Sequence, residues 1–309
     1  MSLERQIITA AFDYVAQLEL IYGDTVPSSE LQKGFTFSGE KVEFRSSANG
    51  IFKPRQMKKV VISIITTFSK TGSANIYKDY EGDDGAYYYA FEESIKGDYR
   101  NQYLINSYET ESPFIYFKAV APAVYQCIWP CYVAEIDRVK RFFKIIVGSR
   151  PKFIGVSSEN DYSKPKEIQA RYFVREAKTR GHQAEFREEV LKAYNRKCAI
   201  TGLPEDKLLQ AAHIIPDAEY SGIQTVCNGI ALNYLHHKAY DAFLIGIDSD
   251  YTVHVSNALH SINDGPLLEY GVIHYDGKKI HLPKNVNSRP NQDLLNRKFE
   301  KYELNNRSL

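Results

Sequence analysis

The chain has 309 residues with a formal net charge of +1, of which 43% are hydrophobic and 25% charged. That is the balance of a folded protein about twice the length of one domain, which excludes a disordered chain and makes two domains the first expectation. No stretch approaches eighteen apolar residues and no signal-peptide run follows Glu4 and Arg5, so a membrane span and secretion are not expected and a cytoplasmic location is.

From Leu3 to Leu20 the apolar positions Ile7, Ile8, Ala11, Tyr14, Val15 and Leu18 fall on one helical face, which predicts an amphipathic helix. Pro27-Ser28-Ser29 breaks it and can cap a short second helix over Glu30–Lys33. Strand-like runs follow at Val60–Thr67, Ala86–Phe91, Phe114–Val120, Tyr125–Ile136 and Phe142–Val147, β-branched or aromatic and divided by Gly, Asp, Ser or Pro. They predict a mostly β, barrel-like domain with a leading helix over residues 1–150. Cys127 and Cys131 lie four apart in one such run, where strand alternation would put both on one face as buried free thiols. None of the four cysteines forms a CxxC pair, so no structural zinc is predicted.

Between Ser149 and Ser163 periodicity gives way to Gly, Ser, Pro and Asp, the composition of a linker, placed at 151–164. Two charged helices are expected next, Lys166–Lys178 and Gln183–Arg196, the second with Phe186, Val190, Leu191 and Tyr194 as its apolar stripe. Near the end, Leu294, Leu295, Phe299 and Tyr302 predict a further amphipathic helix over Asn291–Tyr302. Together these readings give an α+β protein.

The segment between those helices carries the chemistry. Leu208-Leu-Gln-Ala-Ala-His213-Ile-Ile-Pro216 is a short apolar strand ending in a histidine. It is followed by Asn228-Gly and by a helix bearing His236, His237 and Asp241. His237 and Asp241 stand at i and i+4, so both leave one helical face and can share an ion. Taken singly, a strand-end histidine, an Asn-Gly and a His-His pair on a helix are ordinary structure. Their joint order and spacing are not.

From about Arg196 to Asp248 the chain resembles the HNH, or ββα-metal, endonucleases, in the branch with the pattern AAHI.P…NG..L...HH..YD. The resemblance implies a C-terminal nuclease domain with flanking helices over 165–309. It makes His213 the general base that deprotonates the attacking water, Asn228 the residue fixing the base's loop, and His237 and Asp241 the metal ligands. A histidine titrates near neutral pH, and a divalent cation neutralises charge on the phosphate and the departing oxygen. An Asn side chain can accept from one backbone amide and donate to a carbonyl, which suits it to pin a loop. Many relatives carry an Asp or His before the base, where this chain has Ala212, so His236 or Asp217 are candidate accessory ligands. An incomplete protein shell filled by water and phosphate suits Mg²⁺, with Mn²⁺, Ni²⁺ or Zn²⁺ as substitutes. In relatives with a structural zinc a second cysteine stands where this chain has Thr201, and Cys198 keeps the first position.

The N-terminal region resembles that of HNH restriction-type proteins and, more weakly, the SRA/PUA-like barrels that hold a flipped modified base. In that reading Trp129 and some of the tyrosines would line a base pocket, whereas simple strand alternation would send Tyr87, Tyr88 and Tyr89 to alternate faces, one in the core and one in solvent. Lys53, Arg55, Lys58, Lys59 and Arg100 are the candidate DNA contacts. The resemblance thus implies a homodimeric restriction-type endonuclease acting on double-stranded DNA, foreign or modified. The competing reading is a catalytically silent DNA-binding protein that keeps the HNH scaffold.

Overall fold

The computed structural model describes residues 2–23, 25–46, 49–66, 79–82, 84, 86–92, 99–148, 164–165, 167–216, 225–262 and 265–306. The chain divides into two compact units, Met1–Ala184 and Glu185–Leu309. The linker expected over 151–164 lies outside the described residues, Lys164 apart. No helix among the described residues is long and apolar enough to cross a membrane.

In the first unit α1 (Leu3–Tyr22) leads to β1 (Thr25–Pro27), α2 (Ser28–Lys33), β2 (Phe35–Phe37), β3 (Glu40–Val42), β4 (Ile51–Phe52) and β5 (Ser63–Ile65). Then come β6 (Tyr80–Glu81), β7 (Tyr87–Ala90), α3 (Asn101–Glu109), β8 (Phe114–Ala121), β9 (Val124–Asp137) and β10 (Phe142–Val147), before α4 (Glu167–Ala193). The Ser2 side chain caps α1 by accepting from Arg5 N, and the helix buries Ile7, Ile8, Ala11, Val15 and Leu18 as its spacing predicts, with Phe12 beside them. An eight-stranded sheet runs in the order β4-β5-β8-β9-β10-β7-β6, with β1 on β9.

Alternation along β8 sends Ile115 and Phe117 to a cluster that includes α1, and Phe114 and Tyr116 to a cluster that includes Leu104 and Ile105 of α3. A sheet covered by helices on both faces has no hollow interior. Among the described residues no pairing joins β4 to β6, so the described strands form an open sheet rather than the expected barrel.

Three local expectations need correction. Phe114 pairs with Cys131 but Tyr116 with Ile128, which inserts one extra residue in β9. Cys127 and Cys131, both buried free thiols, therefore fall in opposite clusters rather than on one face. Trp129 lines no base pocket: it is buried, stacks on Phe12 at 5.2 Å and donates from its indole nitrogen to Glu19 Oε2. Tyr87 and Tyr89 are likewise buried while Tyr88 is half-exposed. Finally, the two helices expected around residue 180 are one, because a single glycine costs a helix only about 1 kcal/mol against alanine. Gly181 is buried, and a Cβ there would press on Gln126 Oε1, whose amide nitrogen donates to Ala177 O.

The second unit holds the end of α4, then β11 (Leu209–His213), β12 (Gly229–Asn233), α5 (Tyr234–Asp241), β13 (Ile245–Ile247) and β14 (Val253–Val255). It continues through α6 (Asn257–His260), α7 (Pro266–Gly271) and α8 (Gln292–Asn306). Its core gathers Phe186, Val190 and Leu191 of α4 with Ile230 and Leu232 of β12, Ile245 of β13 and Leu295 of α8.

Candidate functional site

β11 and β12 pair antiparallel, with Leu209 opposite Asn233 and His213 opposite Gly229. Side chains alternate, so Gln210 and Ala212 leave one face of β11 while Ala211 and His213 leave the other. The His213 imidazole lies flat on Phe186 of α4, ring centroids 4.0 Å apart and planes 9° from parallel. Gly229 makes that approach possible, since a Cβ there would run into Val190 and Phe186. The His213 Nε2 atom lies beneath the surface of the unit.

Asn228 ends a short 3-10 turn and is 1% exposed. Its Oδ1 accepts from Ile215 N and its Nδ2 donates to Ile215 O, both at 2.9 Å, while its own carbonyl accepts from Ile214 N at 2.9 Å. One side chain thus occupies both backbone groups of Ile215 and fixes the segment leaving His213.

The Asn233 side chain caps α5 at His236 N, 2.8 Å away. From this helix His237 Nε2 and Asp241 Oδ2 face each other at 3.2 Å. His237 Nδ1 meets Gln210 Oε1 at 2.5 Å; a carbonyl oxygen can only accept, so Nδ1 is the donor there and Nε2 is the atom left for Asp241 or for an ion. Lys298, from α8, donates to Asp241 Oδ1 at 3.3 Å and to the backbone carbonyl of His213 at 3.1 Å. Burial pushes the Asp241 carboxyl up, but His237 and then Lys298 outweigh it and hold the group below the usual carboxylate range.

The His237–Asp241 pair fits an edge of a divalent-ion site. Two donors at right angles on an ion, each about 2.1 Å from it, stand about 3.0 Å apart, close to the observed 3.2 Å. Imidazole nitrogen plus carboxylate oxygen is an ordinary donor set for such ions. Among the described residues no group of three or more His, Cys, Asp or Glu could hold a metal, so in that set the pair would share an ion with water and phosphate oxygens.

Other expected site residues go elsewhere. His236 is 1% exposed, with Nε2 2.7 Å from Gly271 O and Nδ1 3.8 Å from Cys198 Sγ; both ring nitrogens face the interior, which removes it as an accessory ligand. Asp217 lies outside the described residues. Arg100 is tied to the buried carboxylate of Glu92 at 3.1 Å, and Lys53 donates to Met57 O at 2.8 Å, so both brace the first unit. Arg55 reaches Glu40 at 3.6 Å on the surface, and the Lys58 and Lys59 side chains are exposed. Gln210 and Lys298 were not singled out from the sequence. The signal for Lys298 was there, since 294, 298 and 302 share a helical face that is otherwise apolar.

Residues 198–248 match the family model described as HNH endonuclease. The segment is similar to HNH endonucleases. It takes in β11, β12, α5 and β13 and so contains His213, Asn228, His237 and Asp241. Among solved structures the chain is similar to a "Modification dependent TagI restriction endonuclease", with 12% identity and a TM-score of 0.30 over 79% of this chain and 82% of that one. At that score the likeness does not establish a shared fold. No curated protein matches the chain closely enough to count as a relative.

Proposed function

We propose that this protein is a divalent-metal-dependent DNA endonuclease of the restriction type, working in the cytoplasm as a homodimer on foreign or modified DNA. The observation that carries this reading is the hydrogen-bonded unit joining the catalytic candidates: Asn228 fixes the backbone after His213, and Lys298 joins the His213 carbonyl to Asp241, which faces His237.

In this reading His213 takes the proton of the attacking water. The Phe186 face holds the ring in one plane, and Asn228 keeps its strand end from drifting. His237 Nε2 and Asp241 would hold the ion, Mg²⁺ first and Mn²⁺ as a substitute. When bound, the ion supplies charge neutralisation at the phosphate and the leaving oxygen. Cutting both strands with one site per chain is simplest with two chains, which is the basis for the dimer. The candidate domains, a recognition domain over 1–150 and a nuclease domain over 165–309, divide target choice from cutting.

The test is plasmid cleavage with Mg²⁺ or Mn²⁺ over unmodified, methylated, hydroxymethylated and phosphorothioated DNA. His213→Ala should lower the rate about 10²- to 10⁴-fold with the fold intact. A fully buried Ala212 gives no ligand at the position where many relatives have one, which favours the silent DNA-binding alternative. That alternative wins if no plasmid is cut while salt-dependent binding persists. Equal cutting by wild type and His213→Ala sinks the assignment of the base.

A further inference from the structure

Lysine is almost never buried without a partner, yet Lys298 is 7% exposed and stands between Leu294 and Tyr302 on the buried face of α8. An apolar residue there would pack without the cost of desolvating a charge. The ammonium meets the His213 carbonyl at 3.1 Å, Asp241 Oδ1 at 3.3 Å and the face of the Tyr240 ring, 3.8 Å from its centroid. One side chain therefore ties the end of the strand that carries the general base to the helix that carries the ion-holding pair.

We propose that Lys298 is a positioning residue of the hydrolytic site, setting the His213 strand end against Asp241 and weakening that carboxylate's hold on a divalent ion until substrate phosphate is present. The inference rests on reading His237 and Asp241 as the ion-holding pair. Two effects follow from the same contact. Geometrically, the ammonium bridges a backbone carbonyl of β11 and a side chain of α5, so its loss lets the base and the ion pair move independently. Electrostatically, a positive charge 3.3 Å from Asp241 competes with any cation that would use that carboxylate.

The sign of the second effect distinguishes the proposal from a purely structural role. A lysine that merely anchors α8 would, when removed, lower stability, ion affinity and cutting together. The positioning role predicts opposite signs for affinity and turnover.

The experiment titrates Mn²⁺ into the full chain without DNA, read by electron paramagnetic resonance, and measures kcat and KM for plasmid cleavage. Lys298→Met should bind Mn²⁺ about fivefold more tightly, the scale of an ion pair whose carboxylate is half-exposed, and lose about tenfold or more in kcat with little change in KM. Lys298→Gln, neutral but still a donor to the His213 carbonyl, should share the tightening and provides the readout if the Met variant does not fold. Lys298→Arg keeps the charge and should stay within about twofold of wild-type affinity. Unchanged or weaker Mn²⁺ binding in the Met and Gln variants, or tightening in the Arg variant, overturns the proposal. His237→Ala and Asp241→Asn report separately on the reading beneath it. If they bind Mn²⁺ as wild type does, the ion site is elsewhere and both ideas fall; if they lose it while the Lys298 variants behave as wild type, only the Lys298 inference falls.

Discussion

Replacing Asn228 by alanine removes both side-chain bonds to Ile215 but leaves the backbone bond from Ile214 N to residue 228 O. Each buried backbone group left without a partner costs about 1–3 kcal/mol. Two such groups cost about 2–6 kcal/mol, and partial relaxation of the loop puts the expected value near 3–4 kcal/mol. The sole tryptophan, Trp129, belongs to the other unit, so fluorescence would miss the change. Amide hydrogen exchange resolves it, because two neighbouring amides should part company. Ile215 N–H should lose about a hundredfold or more of its protection, each 1.4 kcal/mol being a factor of ten, whereas Ile214 N–H should lose much less. Cleavage should fall alongside, because the strand end bearing the base is no longer fixed. An Ile215 amide as protected as in wild type would refute the stability argument, and a deprotected Ile215 with undiminished cutting would refute its link to catalysis.

Gln210→Leu takes away the acceptor that holds the proton on His237 Nδ1, and Mn²⁺ affinity should drop about 10- to 100-fold; an unchanged titration would show that Gln210 does not orient the ligand. The Cys198 thiol offers a pH test. Burial pushes it up, but the hydrogen bond with His236 and then those involving Thr201 bring it down from 9.0 to about 7. An acid whose pKa is lowered by folding stabilises the folded state fully above its unfolded value and loses that contribution as pH falls through the folded one. Wild type should therefore gain about 2 kcal/mol relative to Cys198→Ser between pH ~7 and ~9, measured as the difference in urea midpoints across that range; parallel pH profiles would contradict it.

Periodicity made the long elements readable. The α1 face, β10 from Phe142 to Val147 and the buried face of α8 fall where apolar spacing puts them, because each packs one continuous stripe on its own unit's core. The match over 198–248 was readable for a different reason, since the HNH pattern is one of residue types in a set order rather than of apolar spacing. What escaped were features set by contacts distant in sequence. The one-residue shift in β9 depends on its pairing with β8, and the continuity of α4 through Gly181 coincides with packing on Gln126, more than fifty positions earlier. The inward turn of His236 depends on the Gly271 carbonyl. Gln210 looks like any polar strand residue until His237 is folded against it, and α3 carries too few apolar residues to announce a helix.

The pairing of β11 with β12 has a consequence for how sequence change can act on this protein. Because alternate residues face opposite ways, sliding β11 by a single position would exchange the directions of Ala212 and His213 and carry Gln210 away from His237. The alignment is latched on both sides: Ala199 N bonds Ala231 O at 2.7 Å on β12, and Arg187 grips the Leu209 carbonyl at 3.1 Å where β11 begins. A residue inserted within 209–213, or loss of Ala211 or Ala212, would thus break up the candidate site without removing one of the side chains assigned to it, so the length of this strand is as much a part of the site as the identity of its histidine.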